Sequence, residues 1–155
     1  MKLSSKGRVA VISLVDMAIN CQNGCPVKLS EISKRQNISV NFLEQIFFSL
    51  KKNGIVHSTR GPSGGYTFAK RPDLVKLYDV INAIDEKLII NNFNESKSLN
   101  NSDKNDLTRF LTLNLWNEFN NHVYDFLNGI SIEDVKSNNF LKKNDENVEK
   151  LNISY

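Results

Sequence analysis

The side chains of this 155-residue sequence best suited to recognition chemistry are hydrogen-bonding groups rather than nucleophiles. Glu44 and Gln45 follow Asn41 by three and four residues, so a helix would gather them on one face. Such groups can read base edges in a DNA major groove, Gln at adenine and Glu at the cytosine amino group. Arg60 stands at the base of a Gly61-Pro62-Ser63-Gly64-Gly65 turn, where a cation can enter a narrow minor groove. Catalytic alternatives are poorer. His57 and His122 have no acid or nucleophile at motif spacing, and the glycine turn lacks the lysine and following helix of a phosphate loop. Glu44 and Asp85 are single carboxylates on expected helices, which suits solvated or capping groups. No active site is readable.

Cys21 and Cys25 are the two cysteines, and with three residues between them and no neighbouring His they do not form a recognisable zinc site. A disulfide would not persist in a reducing cytoplasm. The plain reading is a helix end and a loop that carry thiols. The alternative is a redox or metal sensor, but Lys28 is the nearby cation and nothing evident lowers a thiol pKa.

The elements that would position these groups can be read from spacing. Ser39 is the expected N-cap of a helix whose Leu43, Ile46, Phe47 and Leu50 face a core. Asn53-Gly54 can end it through a left-handed glycine. Val56 and Tyr66-Thr67-Phe68 are strand-like, and the turn between them is one few non-glycine residues could follow. A recognition helix followed by a basic-tipped hairpin is a winged helix. Upstream, one helix runs from Ser4 or Ser5 to Asn20, with Val9, Ile12, Val15 or Asp16, and Ile19 spaced for packing. Asn23-Gly24 breaks it, Pro26 to Lys28 is extended, and Leu29 to Gln36 forms a second helix with Leu29, Ile32 and Ser33 inward. Asn37-Ile38 then completes a helix-turn-helix. Leu77 to Asp85 is a further amphipathic helix that packs on the first.

The run Val9 to Val15 follows Lys2, Lys6 and Arg8, as in a secretory signal, but Asp16 interrupts it and a cleavage site is missing before Cys21. A cytoplasmic first helix is the expectation, and no segment has the apolar length to span a bilayer. From Asn91 to Asn105 the chain is polar, with little to bury. Leu107, Phe110, Leu111, Leu115, Phe119, Val123, Phe126 and Leu127 then form an apolar stripe with Trp116 beside it. That is more than a small core needs, which favours a dimer helix, since twofold proteins read twofold DNA sites. Ser131-Ile132-Glu133-Asp134 resembles a capping box opening a short helix, and from Lys136 onward a frayed tail is expected.

Charge is uneven although the total is only +3. Residues 1–72 hold eleven Lys/Arg against three acids, +8, and residues 73–155 hold nine against fourteen, −5. A basic front half suits a protein that presents one end to a polyanion. The expected fold is mostly α with a small β wing. A winged helix-turn-helix DNA-binding domain would span 1–85, a polar insert 86–105, a dimerisation helix with a short closing helix 106–137, and a flexible tail 138–155.

Several motifs together resemble the Rrf-two family of bacterial winged-helix regulators. They are Leu3 to Arg8, Asn41 to Gln45, Leu50 to Gly54, Arg60 to Tyr66, Leu115-Trp116 and Ile130 to Val135. The resemblance is close to about Asp85 and looser from Leu111 to Val135. It implies a homodimeric cytoplasmic regulator bound to double-stranded DNA. DNA contacts would fall on Asn41, Glu44, Gln45 and Arg60, with Ser39, Lys51, Gly61 and Ser63 alongside. Phosphate contacts would fall near Ser4, Ser5, Lys6 and Arg8. In cluster-binding members the recognition-helix glutamate also disfavours some operators, and some cluster-less members are controlled by a protein partner. Those cluster-binding members hold a [2Fe–2S] group through three cysteines and a histidine. Here the corresponding stretch, Glu86 to Leu113, contains neither residue type, and Phe110 and Leu113 align where the last ligands would stand. The expectation is a regulator with no metal or cluster.

Overall fold

Ser4 opens the first helix, α1 (Ser5–Asn20), its hydroxyl accepting the Gly7 N–H at 3.0 Å and so satisfying one orphan donor of the first turn. The computed structural model describes residues 4–21, 24–84 and 104–140. After α1 come α2 (Leu29–Gln36), α3 (Val40–Lys52), strands β1 (Val56–Thr59) and β2 (Gly65–Phe68), and α4 (Leu77–Ile84). The long α5 (Lys104–Gly129) and the short α6 (Ile132–Lys136) complete the described chain.

The helix-turn-helix forms as its residues require. Asn37, left-handed at φ 54°, ends α2, and Ser39 caps α3 by accepting the Phe42 N–H at 3.3 Å. Leu43, Ile46, Phe47 and Leu50 are all buried, as their spacing implied. Gly54 leaves α3 at φ +68° and turns the chain into β1.

β1 and β2 pair antiparallel, with Val56 opposite Phe68 and Thr59 opposite Gly65. Residues 26–28 do more than lead into α2. Val27 and Tyr66 exchange backbone hydrogen bonds of 2.9 and 2.8 Å, so the segment before α2 lies on the outer edge of β2. Two of the three wing glycines, Gly64 and Gly65, stand where backbone comes close. A Cβ on Gly64 would lie 2.2 Å from the Thr59 carbonyl oxygen. One on Gly65, already at φ +155°, would lie 2.6 Å from that of Val27. No larger residue fits either place without moving backbone.

The core lies between α1, α3, α4 and α6, with Leu14, Met17, Ile32, Phe47, Val56, Val80 and Ile132 fully enclosed. α4 packs on α1, as expected. The face that α1 buries is not the expected one, however. Ala10, Leu14 and Met17 are enclosed, whereas Ile12 and Ile19 are 45% and 55% exposed. Val9 and Val15 pack only at the core margin. The reason is that Gly7, Ala10 and Ser13 make a thin side on which neighbouring helices can close, and Asp16, read as an interruption, faces inward.

After α5 the chain returns to the domain. Leu77 donates to Ile130 and Ile132 donates to Val75, both at 2.9 Å, holding α6 beside the start of α4. The capping box is present: Ser131 Oγ accepts the Asp134 N–H at 3.1 Å, and Asp134 Oδ2 accepts the Ser131 N–H at 2.9 Å. α5 begins at Lys104, two residues before the expected start of the dimerisation helix. The remainder of that insert and the tail beyond residue 140 lie outside the described residues.

Candidate nucleic-acid interface

α3 sorts its side chains onto two sides because 3.6 residues make a turn. The apolar side is sealed against the core, so Asn41, Glu44 and Gln45 all stand exposed on the opposite side. Among the described residues nothing covers this polar face. α3 also packs on β1, which sets the wing beside the helix. The edge of the Phe47 ring meets Tyr66 of β2 with centroids 4.8 Å apart, fixing the wing's pitch. Burial raises the Tyr66 phenol pKa, and the Glu44 carboxylate raises it further, so Glu44 stands close to the wing.

The other expected site residues fall into three groups. Lys51, at the end of α3, donates to Ser58 Oγ of β1 at 2.6 Å, bridging helix and wing. Its ammonium therefore has a protein partner beside the polar face rather than extending freely. Arg60, Gly61 and Ser63 form the exposed tip of the hairpin, closed by a 2.9 Å bond from the Gly64 N–H to the Gly61 carbonyl. Ser4, Ser5, Lys6 and Arg8 belong to the first turns of α1, a separate element. Ser5, Lys6 and Arg8 are exposed there, while the Ser4 hydroxyl serves as the cap. The positive end of the α1 dipole and two cations make this a place where a phosphate would be favoured.

Two features escaped sequence reasoning. Phe48 is exposed on the same side of α3 as Asn41 and Glu44. Its spacing, four residues after Glu44, was a signal available in the sequence. The second is a partly buried ionic cluster. Arg35 of α2 holds Asp16 of α1 through Nε–Oδ2 at 3.0 Å and Nη2–Oδ1 at 2.6 Å, and Gln36 adds a 2.6 Å bond. Burial alone would push the Asp16 carboxyl up, but the hydrogen bonds from Arg35 and Gln36 prevail and hold it below the ordinary value. The cluster fixes the angle between α1 and α2. A contact between residues 19 and 20 positions apart leaves no periodic trace.

The cysteines are not joined by a disulfide. Cys21 Sγ donates to the Cys25 carbonyl at 3.0 Å, and both thiols are free. Burial, with the charge of Cys25, raises the Cys21 pKa, opposite to what a sensing thiolate needs. Phe110 is exposed and Leu113 half-buried near the start of α5, and neither can ligate iron. His122 contacts Glu118 at 3.4 Å one turn away, as an exposed pair on α5. Among the described residues no helix is long and apolar enough to cross a membrane.

A polar-faced second helix, a glycine-tipped hairpin and the strand-like Val27 segment define a winged helix-turn-helix protein. Residues 3–138 match the family model described as Rrf2, iron-dependent transcriptional regulator. The chain belongs to this family and is an Rrf2-type transcriptional regulator. It is 41% identical over 138 residues to the HTH-type transcriptional regulator IscR of Pectobacterium atrosepticum, covering 89% of this chain and 80% of that one. To IscR of Aliivibrio salmonicida it is 40% identical over 139 residues, with 90% and 79% covered. Among solved structures, T. potens IscR matches with a TM-score of 0.68 and 28% identity, over 89% of this chain and 88% of the other. CymR (YrzC), the global cysteine regulator of B. subtilis, matches with 0.67 and 26%, over 88% and 97%.

Proposed function

We propose that this regulator is a cytoplasmic homodimer that binds a pseudo-palindromic DNA operator sequence-specifically and does so without an iron–sulfur cluster. The observation that carries the reading is the uncovered face of Asn41, Glu44 and Gln45, directed away from the core beside the wing. A helix of ordinary diameter fits a major groove about 12 Å wide, and these side chains would meet base edges there. Arg60 would follow the adjacent minor groove, while Lys51 and the α1 start would meet phosphates. The uneven charge supports a steep salt dependence.

Dimerisation is supported by α5. Phe110, Leu111, Leu115, Trp116, Phe119 and Phe126 are all exposed on one helix, an apolar surface a second copy would cover. The lack of a cluster is supported by donor chemistry. The stretch Glu86 to Leu113 has no Cys or His, and Cys21 with Cys25 supplies two thiols where the group requires four ligands. The chain's work is binding rather than catalysis, since its histidines have no nucleophile to activate.

Selection of bound sequences from a random duplex library tests the reading. A twofold-symmetric consensus is expected, and Gln45→Ala should lose about 1–3 kcal/mol of preference at one position per half-site. Equal loss on specific and non-specific duplexes would show that Gln45 does not read bases.

A further inference from the structure

Phe48 is the anomaly of α3. It is 68% exposed, the largest exposure of any large apolar side chain among the described residues. At about 100° per residue it lies about 150° from the centre of the buried side formed by Leu43, Ile46, Phe47 and Leu50. That places it between Asn41 and Glu44, and within about 60° of Gln45, viewed down the axis. It is therefore not at the margin of the core. It is in the middle of the polar face that is proposed to enter DNA.

An aromatic ring with no polar atom gains most from being covered where its partner is apolar. In the major groove, base pairs offer one apolar group, the C5 methyl of thymine. We infer that Phe48 is a specificity-determining residue that packs on a thymine methyl, adding an apolar reading to the polar one made by Asn41, Glu44 and Gln45. The inference rests on the proposed entry of α3 into the groove. Phe48 lies about 4.5 Å beyond Gln45 along the helix axis, one to two base-pair steps at about 3.4 Å each. Lys52, one turn further on, is also exposed and supplies a cation for the groove wall. A protein occupant is disfavoured by the surroundings. Phe48 stands alone among polar groups, whereas the large apolar surface suited to another chain is on α5.

The test uses the operator chosen by library selection, with each thymine replaced in turn by uracil, which lacks only the methyl. Affinities are measured for the wild-type chain, Phe48→Ala and Phe48→Leu at one salt concentration. At one or two thymines per half-site, next to the position sensitive to Gln45→Ala, uracil should weaken wild-type binding roughly fourfold, the factor for losing one buried methyl. Phe48→Ala should be indifferent to that replacement, and Phe48→Leu should keep part of the response. The inference is overturned if no thymine responds, if Phe48→Ala responds like the wild type, or if the substitution changes oligomeric state instead of base preference. If no sequence is selected at all, the proposed DNA-reading function itself fails and this inference falls with it. A symmetric consensus without uracil sensitivity overturns the role of Phe48 alone.

Discussion

Arg35 is worth more to this protein than its position near the end of α2 suggests. It compensates Asp16, whose side chain is 3% exposed, while its own is 35% exposed. Removing Arg35 leaves a buried carboxylate with Gln36 and Asn20, whereas removing Asp16 leaves a cation that can turn to water. Arg35→Ala should therefore cost about 1–3 kcal/mol in urea unfolding, and Asp16→Asn clearly less. The pH dependence has a definite sign. The folded Asp16 pKa lies below its ordinary 3.8, so the stabilisation is complete above that value. It is lost as pH falls from 3.8 through the depressed folded value, and the Asp16→Asn variant should lack this part of the acid transition. At the same scale, the shared exposed face of Asn41, Glu44 and Gln45 was legible in the sequence because helical spacing fixes it. Asp16 was not: its partner is distant in the chain, and a charge in an apolar run reads as a break until the partner is seen.

The hairpin shows why the elements themselves were largely legible. Ser39, Asn53-Gly54 and Gly61 to Gly65 are local signals, and local signals decide caps and tight turns without tertiary help. The Val27 edge was not legible, because one bridged residue has no period. Gly65 nevertheless records it, since the Val27 carbonyl occupies the space a side chain would need. The inward face of α1 was misread for a related reason. Ala10 and Ser13 are buried through close helix approach, which hydrophobicity alone does not reveal. Gly64→Ala, placing a methyl against the Thr59 carbonyl, should distort the wing while leaving the α3 core intact. The expected result is DNA affinity lowered at least tenfold, with helical circular dichroism near that of the wild type. Unchanged affinity would mean the wing does not touch DNA.

At the level of the whole molecule, α5 sets the behaviour. Its exposed Leu115, Trp116 and Phe119 have no other use among the described residues, and the edge contact of Tyr78 with Tyr124, centroids 4.7 Å apart, ties the helix to α4. Phe119→Glu should turn a dimer into a monomer in sedimentation, and operator binding should weaken with it because two half-sites are no longer held together. The family model is described as iron-dependent, whereas residues 86–113 of this chain hold neither Cys nor His, and the proposed reading has it work without a cluster. The most direct measurement is therefore anaerobic purification with an absorbance spectrum and iron and sulfide analysis, followed by operator binding on the same sample. A colourless dimer without iron or sulfide, still selecting a twofold site, is the expected result. A brown sample with stoichiometric iron and sulfide would contradict it and direct attention to Cys21 and Cys25, and an iron-free sample that selects no sequence would contradict the DNA-reading role.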